Sequence, residues 1–258
     1  MDSPRPAFAG VGVALVTLFD RDGEVDEDAT ARHAGHLVER GVQGVVVAGS
    51  TGEAAALDPG ERSRLLTAVR GAVGGRVPVI AGTGAPSARE AVSLSRRAVD
   101  DGADALLVLS PPRADDPRPY YEAVDRAVDV PVLAYHFPAA SAPGIPVDLL
   151  CDLPVAGLKD STGDPARMAL ELDEMREGVY VGSPALLLEA HAMGASGAIL
   201  ALANVDPVGC ARAWDGDGAC QRELISGHRV GARSGIAGLK RALAGLYGTS
   251  PVTRVPAP

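Results

Sequence analysis

The chain has 258 residues, 47% of them hydrophobic, and a formal net charge of −9. That length and apolar content suffice for one buried core and fall in the range of a single α/β barrel. The acidic balance excludes a nucleic-acid surface, because phosphate binding needs a basic patch and no Lys or Arg run supplies one.

Read in chain order, the first six residues have no apolar stretch behind a basic start, so no signal peptide is expected. Apolar runs then alternate with helical patterns. Strands are expected over 11–19, 42–48, 77–82, 105–109, 130–135, 155–159, 179–182 and 197–202. Helices are expected over 27–40, 59–73, 87–101, 118–128, 165–176 and 184–193. No run is long enough to span a bilayer. Asp58-Pro59 and Asp164-Pro165 each read as an N-cap followed by proline at the first helical position. Gly41, Gly102 and Gly194 stand just past helix ends, where a left-handed residue is needed. Eight apolar strands with helical returns call for a parallel sheet. Closed on itself, that sheet is α/β of the (β/α)8 TIM-barrel type; a doubly wound open sheet is the alternative. After the eighth strand the pattern is wholly helical, with an apolar stripe at Ile236, Leu239, Leu243 and Leu246 and Lys240 beside it as a structural residue. The expected division is a barrel over 1–220 and a C-terminal helical segment and tail over 221–258. The tail, with its three prolines, is expected to run extended over the surface.

Only two lysines occur, Lys159 and Lys240; arginine carries nearly all the other positive charge. A GC-rich coding bias accounts for the scarcity but not for the place of Lys159, at the end of the run Val155-Ala156-Gly157-Leu158. Lysine, unlike arginine, can lose its proton on desolvation and attack a carbonyl. The alternative is a structural lysine at the barrel rim. The second strand runs into Gly49-Ser50-Thr51-Gly52-Glu53, where backbone N–H groups and hydroxyls ahead of a helix suit a carboxylate or phosphate; a plain βα turn is the other reading. The fifth strand ends at Tyr135-His136-Phe137-Pro138. Adjacent strands lie about 4.8 Å apart, so Tyr135 and Lys159 can both face the barrel mouth, a phenol beside an amine. His136 points to the opposite face and reads as core. Gly182 and Ile199 are expected in the pocket floor. Three cysteines without a CxxC pair and five scattered histidines offer no metal site, and the thiols read as reduced in a cytoplasmic protein. Asp115-Asp116 supplies too few ligands for a metal. Gly82-Thr83-Gly84 begins a dinucleotide fingerprint, but Ser87 stands where its third glycine belongs.

Together, GSTGE, YHFP and GLKDSTGD on strands 2, 5 and 6 resemble the dihydrodipicolinate synthase/N-acetylneuraminate lyase family of Schiff-base aldolases. The likeness extends over most of the chain. It implies a barrel with a small C-terminal helical domain, a homo-oligomer (dimer or tetramer), and a lysine that forms an imine with pyruvate or a related 2-oxo acid, needing no cofactor. By that resemblance Lys159 is the imine-forming lysine, Tyr135 the proton-moving tyrosine, and Ser50 with Thr51 and Gly49 the carboxylate loop.

The departures bear on the substrate. The family's Pro-x-Tyr after strand 4 is here Pro111-Pro112-Arg113, so the relay tyrosine is absent and Arg113 stands in its place. The arginine that holds the aldehyde's carboxylate in dihydrodipicolinate synthases is missing from Ala139-Ala140-Ser141. Ser183-Pro184-Ala185 lacks the acidic residues of sialic acid lyases. The expectation is therefore a lyase acting on a 2-oxo acid and an aldehyde, like 2-keto-3-deoxy sugar acid aldolases. The alternatives are dihydrodipicolinate synthase itself and a non-catalytic 2-oxo-acid sensor on the same fold.

Overall fold

In a computed structural model, the described residues are 6–175 and 177–255, with side chains left aside at 227–233. The elements are β1 (Gly10–Ala14), α1 (Glu27–Glu39), β2 (Val45–Val47), α2 (Pro59–Val73), β3 (Val79–Gly82), α3 (Ala88–Asp100), β4 (Ala105–Leu109) and α4 (Arg118–Asp125). They continue with β5 (Val132–His136), β6 (Gly157–Asp160), α5 (Pro165–Met175), β7 (Val179–Val181), α6 (Leu187–Ala192), β8 (Gly197–Leu200), α7 (Pro207–Trp214) and α8 (Gly218–Tyr247). The eight strands are all parallel and close in sequence order, with β1 pairing β8. The fold is a (β/α)8 barrel with a C-terminal helix, as expected, and not an open sheet. Among the described residues no helix is long and apolar enough to cross a membrane.

Alternation along each strand divides the core in two. One cluster, with Ala14, Val46, Ile80, Leu107, Leu133, Tyr135, Tyr180 and Ile199, fills the barrel. The other packs the outward faces of the strands against the helices. The N-terminal end of the barrel is closed by Phe8. Its N–H donates to the Tyr180 hydroxyl at 3.1 Å, and that hydroxyl donates to the Phe8 carbonyl at 2.8 Å. Gly12 and Gly44 leave room for the Phe8 ring, which any Cβ there would meet.

The helix ends obey the predicted chemistry. Asp58 accepts from the Glu61 N–H, while Glu61 accepts from the Asp58 N–H, a complete capping box. Asp164 accepts from the Ala166 and Arg167 N–H groups. Gly41, Gly102 and Gly194 adopt φ of 93°, 93° and 90°.

Several expected bounds are corrected. β1 ends at Ala14, not at 19: Leu15, Val16, Leu18 and Phe19 are buried, but in a loop, where Thr17 Oγ1 donates to the Gly52 carbonyl. An apolar run signals burial, and here burial continues after the ladder stops. The helix expected over 184–193 is a 3₁₀ turn at Pro184–Leu186 followed by α6. The helix expected to reach 176 is described to Met175, and residue 176 lies outside the described residues. A 3₁₀ stretch at Val147–Asp152 and the separate helix α7 were not expected. Leu246 leaves the predicted stripe: it is exposed, whereas Leu243 is fully buried against Val16 and Leu18. The tail does not simply lie on the surface, because Arg254 reaches into a buried ionic cluster with Glu53, Glu61 and Lys240.

Candidate active site

Every strand of a parallel barrel delivers its C-terminal end to the same rim, so the ends of β2, β5 and β6 share one face. Tyr135 and Lys159 are direct register partners on β5 and β6. Both are 5% exposed. The Lys159 Nζ lies 4.3 Å from the centroid of the Tyr135 ring. Among the described residues it has no carboxylate within ion-pair distance. The Tyr135 ring stacks on Phe137, with centroids 5.8 Å apart, which fixes the plane of the phenol.

Ser161 is the residue that the sequence reading missed. Its hydroxyl donates to the Tyr135 hydroxyl at 3.3 Å. The signal was available: a residue two positions after Lys159 on the same strand direction falls on the same face. Gly182 belongs to this contact, since a Cβ at that position would collide with Ser161 Oγ, and its N–H donates to the Asp160 carbonyl at 2.6 Å. Ile199 is fully buried in the barrel interior, among the packing residues of the same cluster as Tyr135.

Gly49, Ser50 and Thr51 follow β2, which stands four strands from β6 and so across the barrel from Lys159. The loop is bracketed by two left-handed non-glycine residues, Ala48 at φ 52° and Glu53 at φ 55°. Within it the Glu53 N–H donates to the Ser50 carbonyl, and the Ala54 N–H to the Gly49 carbonyl. Among the described residues the Ser50 and Thr51 N–H groups and hydroxyls donate to no protein acceptor. One expectation is corrected here. No α-helix begins directly after the loop; a 3₁₀ turn at Ala54–Ala56 intervenes, and α2 starts at Pro59 with Asp58 on its free N–H groups. An anion at Ser50–Thr51 would therefore meet loop N–H groups and hydroxyls, not a helix end.

The Gly82-Thr83-Gly84 run has a packing role. A Cβ on Gly82 would strike the backbone of Ala48 and Gly49, and one on Gly84 the backbone of Leu109. These glycines let the neighbouring rim segments close together.

Arg113 sits in a turn after β4 with φ 60°, exposed, its N–H donating to the Ala142 carbonyl at 2.7 Å. Its guanidinium has no ion pair among the described residues. Asp116 is bound by Arg118 on an exposed loop, as a solvated cluster should be.

On the outer side of β5 and β6 lies a second polar layer. His136 Nδ1 accepts from the Ile145 N–H at 2.8 Å, and Arg167 donates to the Ile145 carbonyl at 2.7 Å. Burial, helped by the Arg167 charge, pushes the His136 pKa down to about 4. Arg167 pairs with the fully buried Glu171 at 2.6 Å, yet burial raises the Glu171 carboxyl to about 8. Asp160 is also raised by burial, against its hydrogen bonds from Thr162. His136 is thus a satisfied core imidazole that holds the strand-5 loop.

The family model of the dihydrodipicolinate synthetase family matches residues 7–216. An uncharacterized DapA-like lyase of Halobacterium salinarum is 38% identical over 257 residues, covering 93% of this chain and 84% of the relative. A 4-hydroxy-tetrahydrodipicolinate synthase of Pseudomonas aeruginosa is 36% identical over 231 residues, covering 84% and 79%. Among solved structures, YagE, a prophage protein of the dihydrodipicolinic acid synthase family from E. coli K12 in complex with pyruvate, superposes with a TM-score of 0.90 at 28% identity, covering 97% of this chain and 93% of that one. Barrel, rim residues and relatives agree that the chain belongs to the dihydrodipicolinate synthetase family.

Proposed function

We propose that this lyase forms a Schiff base between Lys159 and pyruvate or a related 2-oxo acid, and cleaves or makes the bond to an aldehyde. The observation that carries the reading is a buried lysine with no ion partner among the described residues, in register with a phenol that a serine hydroxyl holds. A neutral amine attacks the C2 carbonyl, and the carbinolamine must gain a proton on its hydroxyl to lose water. Tyr135, linked to Ser161, is placed to move that proton. The protonated imine then draws electrons from C3. In the cleavage direction the imine is that of a 4-hydroxy-2-oxo acid. Its C4 hydroxyl gives up a proton, the C3–C4 bond electrons pass into the iminium, and the aldehyde leaves. The enamine is protonated at C3 before water hydrolyses the imine and frees the lysine. The unengaged N–H groups and hydroxyls of Ser50 and Thr51 hold the carboxylate, Gly49 gives them room, and Gly182 and Ile199 form the floor. The imine supplies the electron sink, so the reading needs no cofactor.

Two features favour neutral or hydroxylated aldehydes. The strand-5 loop offers no cation, and Ser141 already donates its hydroxyl to the Ser110 carbonyl at 2.6 Å. Arg113, in the strand-4 turn that bonds to Ala142 of this loop, is the cation we take as the candidate for a carboxylate-bearing aldehyde. The likeness to named 4-hydroxy-tetrahydrodipicolinate synthases supports that activity as the second reading. We take the protein to work in the cytoplasm as a homo-oligomer.

Borohydride trapping with pyruvate tests the proposal: one covalent adduct is expected at Lys159, lost in Lys159→Arg because guanidinium is no nucleophile. An intact protein that binds pyruvate without labelling would be a sensor. Efficient condensation of pyruvate with aspartate semialdehyde, lost in Arg113→Ala, would establish the synthase and make Arg113 the clamp.

A further inference from the structure

The second lysine is fully buried, and its charge is directed at the loop proposed to hold the substrate. Lys240, on α8, pairs with Glu53 Oε1 at 2.5 Å and donates to the Val252 carbonyl at 2.8 Å. Glu53 closes the Gly49–Glu53 loop and is held in the left-handed region at φ 55° and ψ 38°. A non-glycine residue persists there only when its surroundings compensate the strain. Its surroundings here come from the far end of the chain. Glu53 Oε2 accepts from the Arg254 N–H at 2.8 Å and the Val255 N–H at 2.9 Å.

The Arg254 side chain grips the other end of the same segment. It donates to the Ala56 carbonyl at 3.1 Å and pairs with Glu61 at 2.8 Å, and Glu61 also caps α2. A further bond goes to the Gly23 carbonyl at 2.7 Å. Both cations lie against the Phe19 ring, with Lys240 Nζ 4.1 Å and the Arg254 guanidinium carbon 4.6 Å from its centroid. Burial lowers the Lys240 pKa, and the Glu53 carboxylate works against that shift.

A buried charge pair is an inefficient way to stabilise a fold, since desolvation offsets most of the attraction. It is an effective way to impose one geometry on a loop. We propose that Glu53 is a positioning residue for substrate binding, and that Lys240 and the C-terminal tail around Arg254 clamp it so that the Ser50 and Thr51 donors keep the geometry a 2-oxo acid's carboxylate requires. None of these three residues touches the substrate or Lys159; they act through the loop. The inference rests on the reading of Ser50–Thr51 as the carboxylate loop.

Arg254→Ala tests it, with Lys240→Met as the more severe variant. Arg254→Ala keeps the tail's backbone donors to Glu53 and removes the guanidinium's contacts with Ala56, Glu61, Gly23, Glu24 and the Phe19 ring. Two measurements are made on the full chain. Hydrogen exchange over residues 49–57, without substrate, should accelerate about tenfold in Arg254→Ala, the loss expected for one charge-assisted hydrogen bond, while the β5–β6 segments stay unchanged. The pyruvate concentration for half-maximal borohydride trapping should rise by a similar factor of about ten, with the trapping rate at saturating pyruvate within about twofold of the parent. A general loss of packing would lower that saturated rate and expose β5–β6 as well. Unchanged loop exchange in both variants overturns the proposal, as does accelerated exchange with an unchanged half-saturation. If the parent protein itself shows no adduct, the Schiff-base reading falls. Loop exchange and the Arg254→Ala shift in equilibrium pyruvate binding then decide the clamp separately.

Discussion

The two lysines sit in opposite environments. Lys240 is buried against a carboxylate, a carbonyl and an aromatic face, all its donors committed to structure. Lys159 is also buried but faces a phenol ring, with no ion pair among the described residues. Lys240 is thereby tied up in structure, whereas the Lys159 nitrogen stands beside a proton-carrying phenol, the arrangement a carbonyl nucleophile uses. The phenol beside it is oriented by Ser161, and this divides the two hydroxyls by their expected effect. Tyr135→Phe keeps the ring stacked on Phe137 but removes the proton carrier, so imine formation should slow by roughly 10²–10⁴-fold, with weaker change in pyruvate affinity. Ser161→Ala only loosens the phenol, and a drop of about three- to tenfold is expected from one neutral hydrogen bond. Stopped trapping at timed intervals measures both. Equal losses in the two variants would make Ser161 a direct participant, and an unchanged Tyr135→Phe would reduce the tyrosine to packing.

At the scale of elements, the loop after β5 is held from behind the barrel. Its return at Ile145 is fixed by His136 on one side and Arg167 on the other, and Gly144, at φ 88°, passes where any Cβ would meet the imidazole. His136 can accept the Ile145 N–H only while neutral at Nδ1. Its folded pKa of about 4 lies below the ordinary histidine value, so unfolded chains take up the proton first as pH falls. The stability it contributes is present above about pH 6.5 and is lost progressively between there and about 4, on the order of 3 kcal/mol. Glu171, raised to about 8, acts in the opposite sense, because its unfolded carboxyl ionises first as pH rises and so costs stability towards pH 7. The His136 contribution is therefore read by comparing parent and variant in the change of urea midpoint between pH 7 and pH 4.5. His136→Gln, whose side-chain oxygen can still accept, should lose less stability than the parent, or gain more, on going from pH 7 to pH 4.5; His33, also held near 4 by burial, contributes equally to both. An unaltered pH dependence in His136→Gln would place the acid sensitivity elsewhere.

At the scale of the whole molecule, the barrel keeps stability and chemistry at opposite ends. Phe8 and Tyr180 plug the N-terminal end, while Lys159 and the loops occupy the other. Phe8→Ala should cost about 3 kcal/mol through the cavity it leaves, seen as a lower urea midpoint, with trapping by pyruvate retained in the folded protein. Loss of trapping without loss of stability would show that the plug reaches the site. The eight apolar runs, their parallel pairing, the caps at Asp58 and Asp164, and the rim positions of Tyr135 and Lys159 were legible in the residues alone, because period-2 burial, helix-end chemistry and strand-end placement are local signals. The choice of a closed barrel over an open sheet came from the structure. The sequence did not determine where β1 stops, since Leu15 to Phe19 are as apolar as a strand but pack in a loop under α8. Nor did it reveal what the turn after Thr51 becomes, or that Glu53 is held by residues about 200 positions away, with separations of 201 and 202 along the chain. Those outcomes depend on long-range pairing of charges and backbone donors, which only the closed barrel and its returning tail bring together.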